Sequence, residues 1–185
     1  MTLYGGPNED DQGHRDHGDR PDGVFVCRGG VRWPAGEGGS RRLRWEASGT
    51  ARPGGEGVEI DNDCSITAGT WLDPYTGRTL TDSSEVDIDH VVPLANAWRS
   101  GASSAGWSTA DREAYANDPH VLLSADDGAN QIKGDKGPEA WKPPNRDYWC
   151  EYSRRWIWIK SDWQLTINPA EDSALRQMLG TCAGG

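Results

Sequence analysis

A chain of 185 residues with a formal net charge of −10 and 35% hydrophobic residues is long enough for one domain with its own core. It holds no apolar run near the roughly 18 residues that a membrane span requires, and its acidic balance argues against indiscriminate binding of polyanions. The four cysteines, Cys27, Cys64, Cys150 and Cys182, lack C-x-x-C spacing, which disfavours a zinc ribbon or a thioredoxin-type motif.

In chain order, residues 1–57 hold more than half of the 24 glycines, mixed with Arg, Asp and Pro. Such a composition buries too little apolar surface to offset chain entropy. The segment is therefore expected to be poorly structured, with Val24-Phe-Val-Cys27 and Leu43-Arg-Trp45 as its only anchors. His14 and His17 lie among acidic residues, where a solvated tail is the simpler reading than a metal site. Met1-Thr-Leu-Tyr-Gly-Gly-Pro7 has neither a basic nor an apolar leader pattern, so no signal peptide is expected from it, which leaves a cytosolic location open beside secretion. A single domain is expected from about Val58 to Cys182.

That domain opens with β-prone Cys64-Ser-Ile-Thr-Ala-Gly-Thr-Trp71. Asp73-Pro-Tyr-Thr-Gly77 then reads as a turn with Pro at its second position, and Arg78-Thr-Leu-Thr81 resumes a strand, so a hairpin is expected over 64–81. In Glu85-Val-Asp-Ile-Asp-His-Val-Val-Pro-Leu94, Val86 and Ile88 alternate with Asp87 and Asp89, the period of a half-buried strand that Pro93 ends. A short helix should follow Pro93 and stop near Gly101. Ser108-Thr-Ala-Asp111 has capping-box spacing for the next helix, which Asn117-Asp-Pro119 stops. A strand is expected over His120-Val-Leu-Leu-Ser124, then a helix capped by Asp126-Asp127, carrying Asn130, Gln131 and Lys133, with Gly134 as its exit. Trp141-Lys-Pro-Pro144 is a rigid connector. Tyr148, Tyr152, Trp156, Ile159 and Trp163 form one face of a long helix, a stripe that reads as core. Asn168-Pro169 opens the last helix, in which Leu175, Met178 and Leu179 pack.

Between Gly128 and Lys160 the chain is locally positive, with Lys133, Lys136, Lys142, Arg146, Arg154, Arg155 and Lys160; a solvated helical face is the usual explanation. The cysteines suit either two disulfides or free buried thiols. If bridged, Cys150 pairs with Cys182, where a helix and the C-terminal tail can meet, and Cys27 with Cys64 follows by elimination.

Asp89 and His90 side by side at a strand end are costly unless something uses them; the plain alternative is an edge strand with a solvated acidic face and a surface histidine. The order strand with Asp89-His90, inserted helices, second strand, helix with Asn130 and Lys133 is that of the ββα-metal nucleases. Asp89-His-Val-Val-Pro-Leu94 followed by Asn130-Gln-Ile-Lys-Gly-Asp135 resembles the HNH endonucleases, and most nearly the GmrSD-like family of secreted bacterial proteins. Asp73-Pro-Tyr-Thr-Gly77, Ala97-Trp98, Tyr115-Ala-Asn-Asp-Pro119, Trp141-Lys-Pro-Pro144, Cys150 and Leu179-Gly-Thr-Cys182 extend the resemblance over residues 62–182.

The resemblance implies an α+β fold: a ββα-metal (HNH) core with a preceding β-hairpin and additional packing helices. It implies a secreted, monomeric endonuclease acting on nucleic acid, DNA first and RNA as the alternative. Asp89 and Asn130 would hold one Mg²⁺ or Mn²⁺ ion, a hard cation suited to oxygen donors. His90 would be the general base on the attacking water, with Lys133, Lys136 and Arg146 contacting phosphate. Taken alone, Asn130 is an ordinary exposed helix residue, Lys133 a solvated charge, His120 a surface residue, and Asp87 a structural group facing water or orienting His90. Two departures stand out. Val121 occupies the place of a middle Asn or His, and the Arg-containing segment that usually follows an N-terminal Cys is not visible in residues 1–57. The competing functional reading is a noncatalytic secreted module that stacks Trp and Tyr on sugars or bases; a zinc-stabilised domain is disfavoured because Cys and His do not cluster.

Overall fold

The structure is a computed structural model that describes residues 27–31, 43–47, 55–60 and 66–182. The expectations placed on His14, His17, the Cys27–Cys64 pairing and most of residues 1–57 lie outside the described residues. Of the N-terminal segment, β1 (Cys27–Val31) and β2 (Leu43–Ala47) form an antiparallel pair.

The expected mixture of α and β is what the described chain adopts. β3 (Glu56–Ile60), β4 (Ile66–Leu72) and β5 (Thr79–Leu80) make a small antiparallel sheet in that order. The predicted hairpin is β4–β5, and its turn is locked by Asp73, whose Oδ2 accepts from the Thr76 amide at 2.8 Å while its carbonyl accepts from the Gly77 amide at 2.9 Å. Trp71 is buried against backbone: a Cβ at Gly55 or Gly69 would overlap its indole, so these positions admit only glycine.

β6 (Val86–His90) and β7 (Leu122–Asp126) form a separate antiparallel pair, with His90 opposite Leu122 and Asp87 opposite Ala125. Between them lie α1 (Leu94–Ala97), a wide turn at Trp98–Ala102 that breaks at Gly101 (φ 128°), and α2 (Thr109–Ala116). The capping box expected at Ser108 and Asp111 is present. β7 starts two residues later than the apolar run suggests. Asp118 takes the His120 amide on its side chain and the Val121 and Leu122 amides on its carbonyl, so a turn consumes His120 and Val121.

α3 (Asp127–Lys133) follows β7 directly, with the Asp126 side chain accepting from the Ala129 amide. After the Trp141–Pro144 connector come α4 (Trp149–Asp162) and α5 (Pro169–Leu179). The aromatic stripe of α4 faces inward as expected. Tyr152, Trp156 and Ile159 are fully buried with Tyr75, Val91, Val92, Tyr115, Leu175 and Met178, and Tyr75, Trp141 and Tyr152 pack edge-on at 5.0–6.0 Å.

Cys150 and Cys182 are bridged, tying the start of α4 to the segment after α5 across 32 residues. A loop of that length gives up about 3–4 kcal/mol of unfolded-state entropy when closed. Reduction, or Cys150→Ser with Cys182→Ser, is expected to destabilise the fold by about that amount, read as a lower midpoint in chemical denaturation with an unchanged native circular dichroism spectrum.

Candidate active site

The β6–β7 pair and α3 place Asp89, His90, Asn130 and Lys133 in one strand–strand–helix unit. Alternation along β6 sends Asp87 and Asp89 to one face and Ile88 and His90 to the other. The acidic face is the inward one: Asp89 is 5% exposed, whereas Ile88 is 39% exposed. This inverts the plain reading of a solvated acidic edge.

Two pairs form between that face and α3. Asn130 donates its amide to Asp87 Oδ2 at 3.2 Å. One turn on, the Lys133 ammonium lies 2.8 Å from Asp89 Oδ1 and 2.9 Å from the His90 carbonyl oxygen. Tyr75 Oη donates to Asp89 Oδ2 at 2.5 Å, so both carboxylate oxygens are taken. Burial pulls the Lys133 ammonium below its ordinary pKa and Asp89 pulls it back up, while burial and then Asp89 push the Tyr75 hydroxyl well above its own.

His90 is half-buried. Its Nε2 stands 3.0 Å from the Ala116 carbonyl oxygen at the end of α2, and its ring lies parallel to that of Tyr115 at 6.5 Å. A carbonyl only accepts, so Nε2 carries the proton and Nδ1 keeps the lone pair. Burial lowers the imidazole pKa below its ordinary value, against opposing contributions from the Ala116 bond and Asp89. The ring is therefore neutral at neutral pH, with its basic nitrogen defined.

Of the residues singled out in the sequence, Asp89, Asn130 and Lys133 share one face, but Asp89 pairs with Lys133 and Asn130 with Asp87. His90 projects the other way. Lys133, fully buried, is not on the surface. Lys136 is exposed, its ammonium donating to the Ile132 carbonyl, and Arg146 is exposed over the Trp149 ring at 5.0 Å. Among the other cations of the locally positive segment, Lys160 is buried against Glu171, and Arg155 donates to the carbonyls of His120 and Leu122. A cavity of about 330 Å³ lies elsewhere, lined by Asn96, Arg99, Asp135, Lys136 and Glu171 among others.

Sequence reasoning missed Tyr75 as a partner of Asp89 and Asp87 as the partner of Asn130. It also missed the inward turn of Lys133, for which a signal existed. Ala129 and Lys133 stand four apart on one stripe of α3, and Ala129 is a residue that belongs inside.

The sequence model of the family described as GmrSD restriction endonucleases, C-terminal domain, matches residues 58–178, well over half of the chain. The chain belongs to this family. It is also 53% identical over 133 residues to an uncharacterized secreted protein of Arthroderma benhamiae, a match covering 71% of this chain and 64% of that protein. The chain thus spans a little under two thirds of that relative's length. No solved structure matches.

Proposed function

We propose that the chain hydrolyses phosphodiester bonds, with His90 as the general base that takes a proton from the attacking water. One observation carries this reading within the family. The Ala116 carbonyl fixes the protonated nitrogen of His90, leaving Nδ1 as an acceptor on a half-buried neutral ring, which is what a base working at neutral pH requires. The order β6, β7, α3 and the Asp89-His90 pair at the strand end support the HNH form of this chemistry. Lys136 and Arg146, both exposed, are cations placed to meet a phosphate.

The divalent ion that the resemblance implies does not fit the donor set as arranged: each Asp89 oxygen already accepts a hydrogen bond, from Lys133 or Tyr75, and Asn130 turns its amide to Asp87. Among the described residues no group of three or more His, Cys, Asp or Glu is placed to hold a metal ion.

Secretion belongs to the same proposal. The Arthroderma relative is named as secreted, and the Cys150–Cys182 bridge is of the kind that persists in oxidising compartments. Among the described residues no helix is long and apolar enough to cross a membrane.

Incubation of the purified chain with supercoiled plasmid and with a structured RNA, in Mg²⁺, Mn²⁺ or EDTA, tests the reading. Nicked or linear plasmid, or shortened RNA, is expected. Intact nucleic acid under every condition would instead favour the noncatalytic module, for which Trp158 is the specific observation: it is 44% exposed and lies 4.9 Å from the His120 ring.

A further inference from the structure

A carboxylate as buried as Asp89 keeps its charge only beside a counter-charge. Lys133 supplies one from within the fold, through its contact at 2.8 Å with Oδ1, and the Tyr75 hydroxyl closes the other oxygen. We propose that Lys133 is the resident cation of Asp89: it occupies the seat that a divalent ion would take, so Asp89 anchors α3 to β6 and is not a metal ligand.

The build of α3 argues for this. The helix turns Lys133 inward to full burial while Ile132, its apolar neighbour, is 67% exposed. That exchange runs against the hydrophobic pattern of a packed helix and is costly unless the ammonium is needed inside. Its hydrogens are directed at Asp89 and at the His90 carbonyl, and each Asp89 oxygen already accepts a hydrogen bond in a residue only 5% exposed. A divalent ion on Oδ1 would have to displace an ammonium held by two partners, against direct like-charge repulsion.

The inference does not depend on the nuclease reading, and its test reads ion binding and not cleavage. Mn²⁺ is added to the ¹⁵N-labelled, unmodified chain and amide linewidths are followed. The amides of Ile88, Asp89, His90 and Lys133 are expected to keep their linewidths at one equivalent of ion. Selective broadening of those four at that point overturns the proposal. A second arm uses Lys133→Ala, which vacates both the charge and the volume beside Asp89. Mn²⁺ is expected to bind this variant at least tenfold more tightly than the wild-type chain by calorimetry, and the gain should vanish when Asp89→Asn is added. A folded Lys133→Ala protein with no gain in affinity also overturns it. If that variant does not fold, the linewidths of the unmodified chain decide alone.

Discussion

Lys160→Met is expected to lower stability by about 3–5 kcal/mol, the cost of leaving one member of a buried ion pair without its partner. Lys160 is fully buried, and its ammonium lies 2.7 and 2.9 Å from the two Glu171 oxygens, 2.8 Å from Ser100 Oγ and 2.9 Å from the Thr166 carbonyl. Glu171, 1% exposed, also accepts from Asn96 Nδ2 at 3.1 Å and from the Asn168 amide at 2.9 Å. The network therefore joins α1, α4, α5 and the loop before α5. With Lys160 gone, Glu171 keeps two donors but no counter-charge, and a domain of this length should lose roughly 6–20 °C in its melting midpoint. Glu171→Leu should cost a similar amount, because it strands the ammonium. The double variant is the decisive measurement. Replacing both charges by apolar groups removes the unpaired ion, so its loss should be well below the sum of the singles. Additive losses would mean that the two side chains act separately.

The two buried lysines show where sequence reading stops. Capping motifs, the β4–β5 turn and the aromatic stripe of α4 were legible because each is a local pattern: a side chain reaching its own backbone, a proline in a turn, a helical period. Lys133 and Lys160 sat in a run of positive charge that reads as solvated surface, and only a partner on another element, Asp89 on β6 or Glu171 on α5, makes burial tolerable. No local pattern encodes a partner on another element. The Asp89-His90 pair was visible as an oddity in an apolar strand, but its division between two faces of β6 followed from alternation alone. Which residues meet them, Tyr75 and the Ala116 carbonyl, depended on packing. The Cys150–Cys182 bridge falls between these cases: four cysteines permit three pairings, and only the expected meeting of a helix with the C-terminal tail favoured the one observed.

His90→Ala is expected to lower kcat on plasmid or RNA by about 10²–10⁴-fold, the usual worth of a positioned general base, with KM nearly unchanged because the imidazole is given no binding role. A melting midpoint and circular dichroism spectrum close to wild type would separate lost chemistry from lost fold. The pH profile is the sharper reading. Only the neutral imidazole accepts a proton, and burial holds the His90 pKa below its ordinary value. The rate should therefore climb with pH along an acid limb centred below the ordinary imidazole value of about 6.5. Stability follows the same sign. A depressed folded-state pKa contributes stability that is complete above the unfolded-chain value, about 6.5, and is lost as pH falls through the folded value. The stability gap between wild type and His90→Gln should thus narrow as the solution is acidified below that point. An acid limb centred above neutrality, or a His90→Ala chain that cuts within a few-fold of wild type, would remove His90 from the reaction and with it the reading of the Ala116 carbonyl as the group that sets its tautomer.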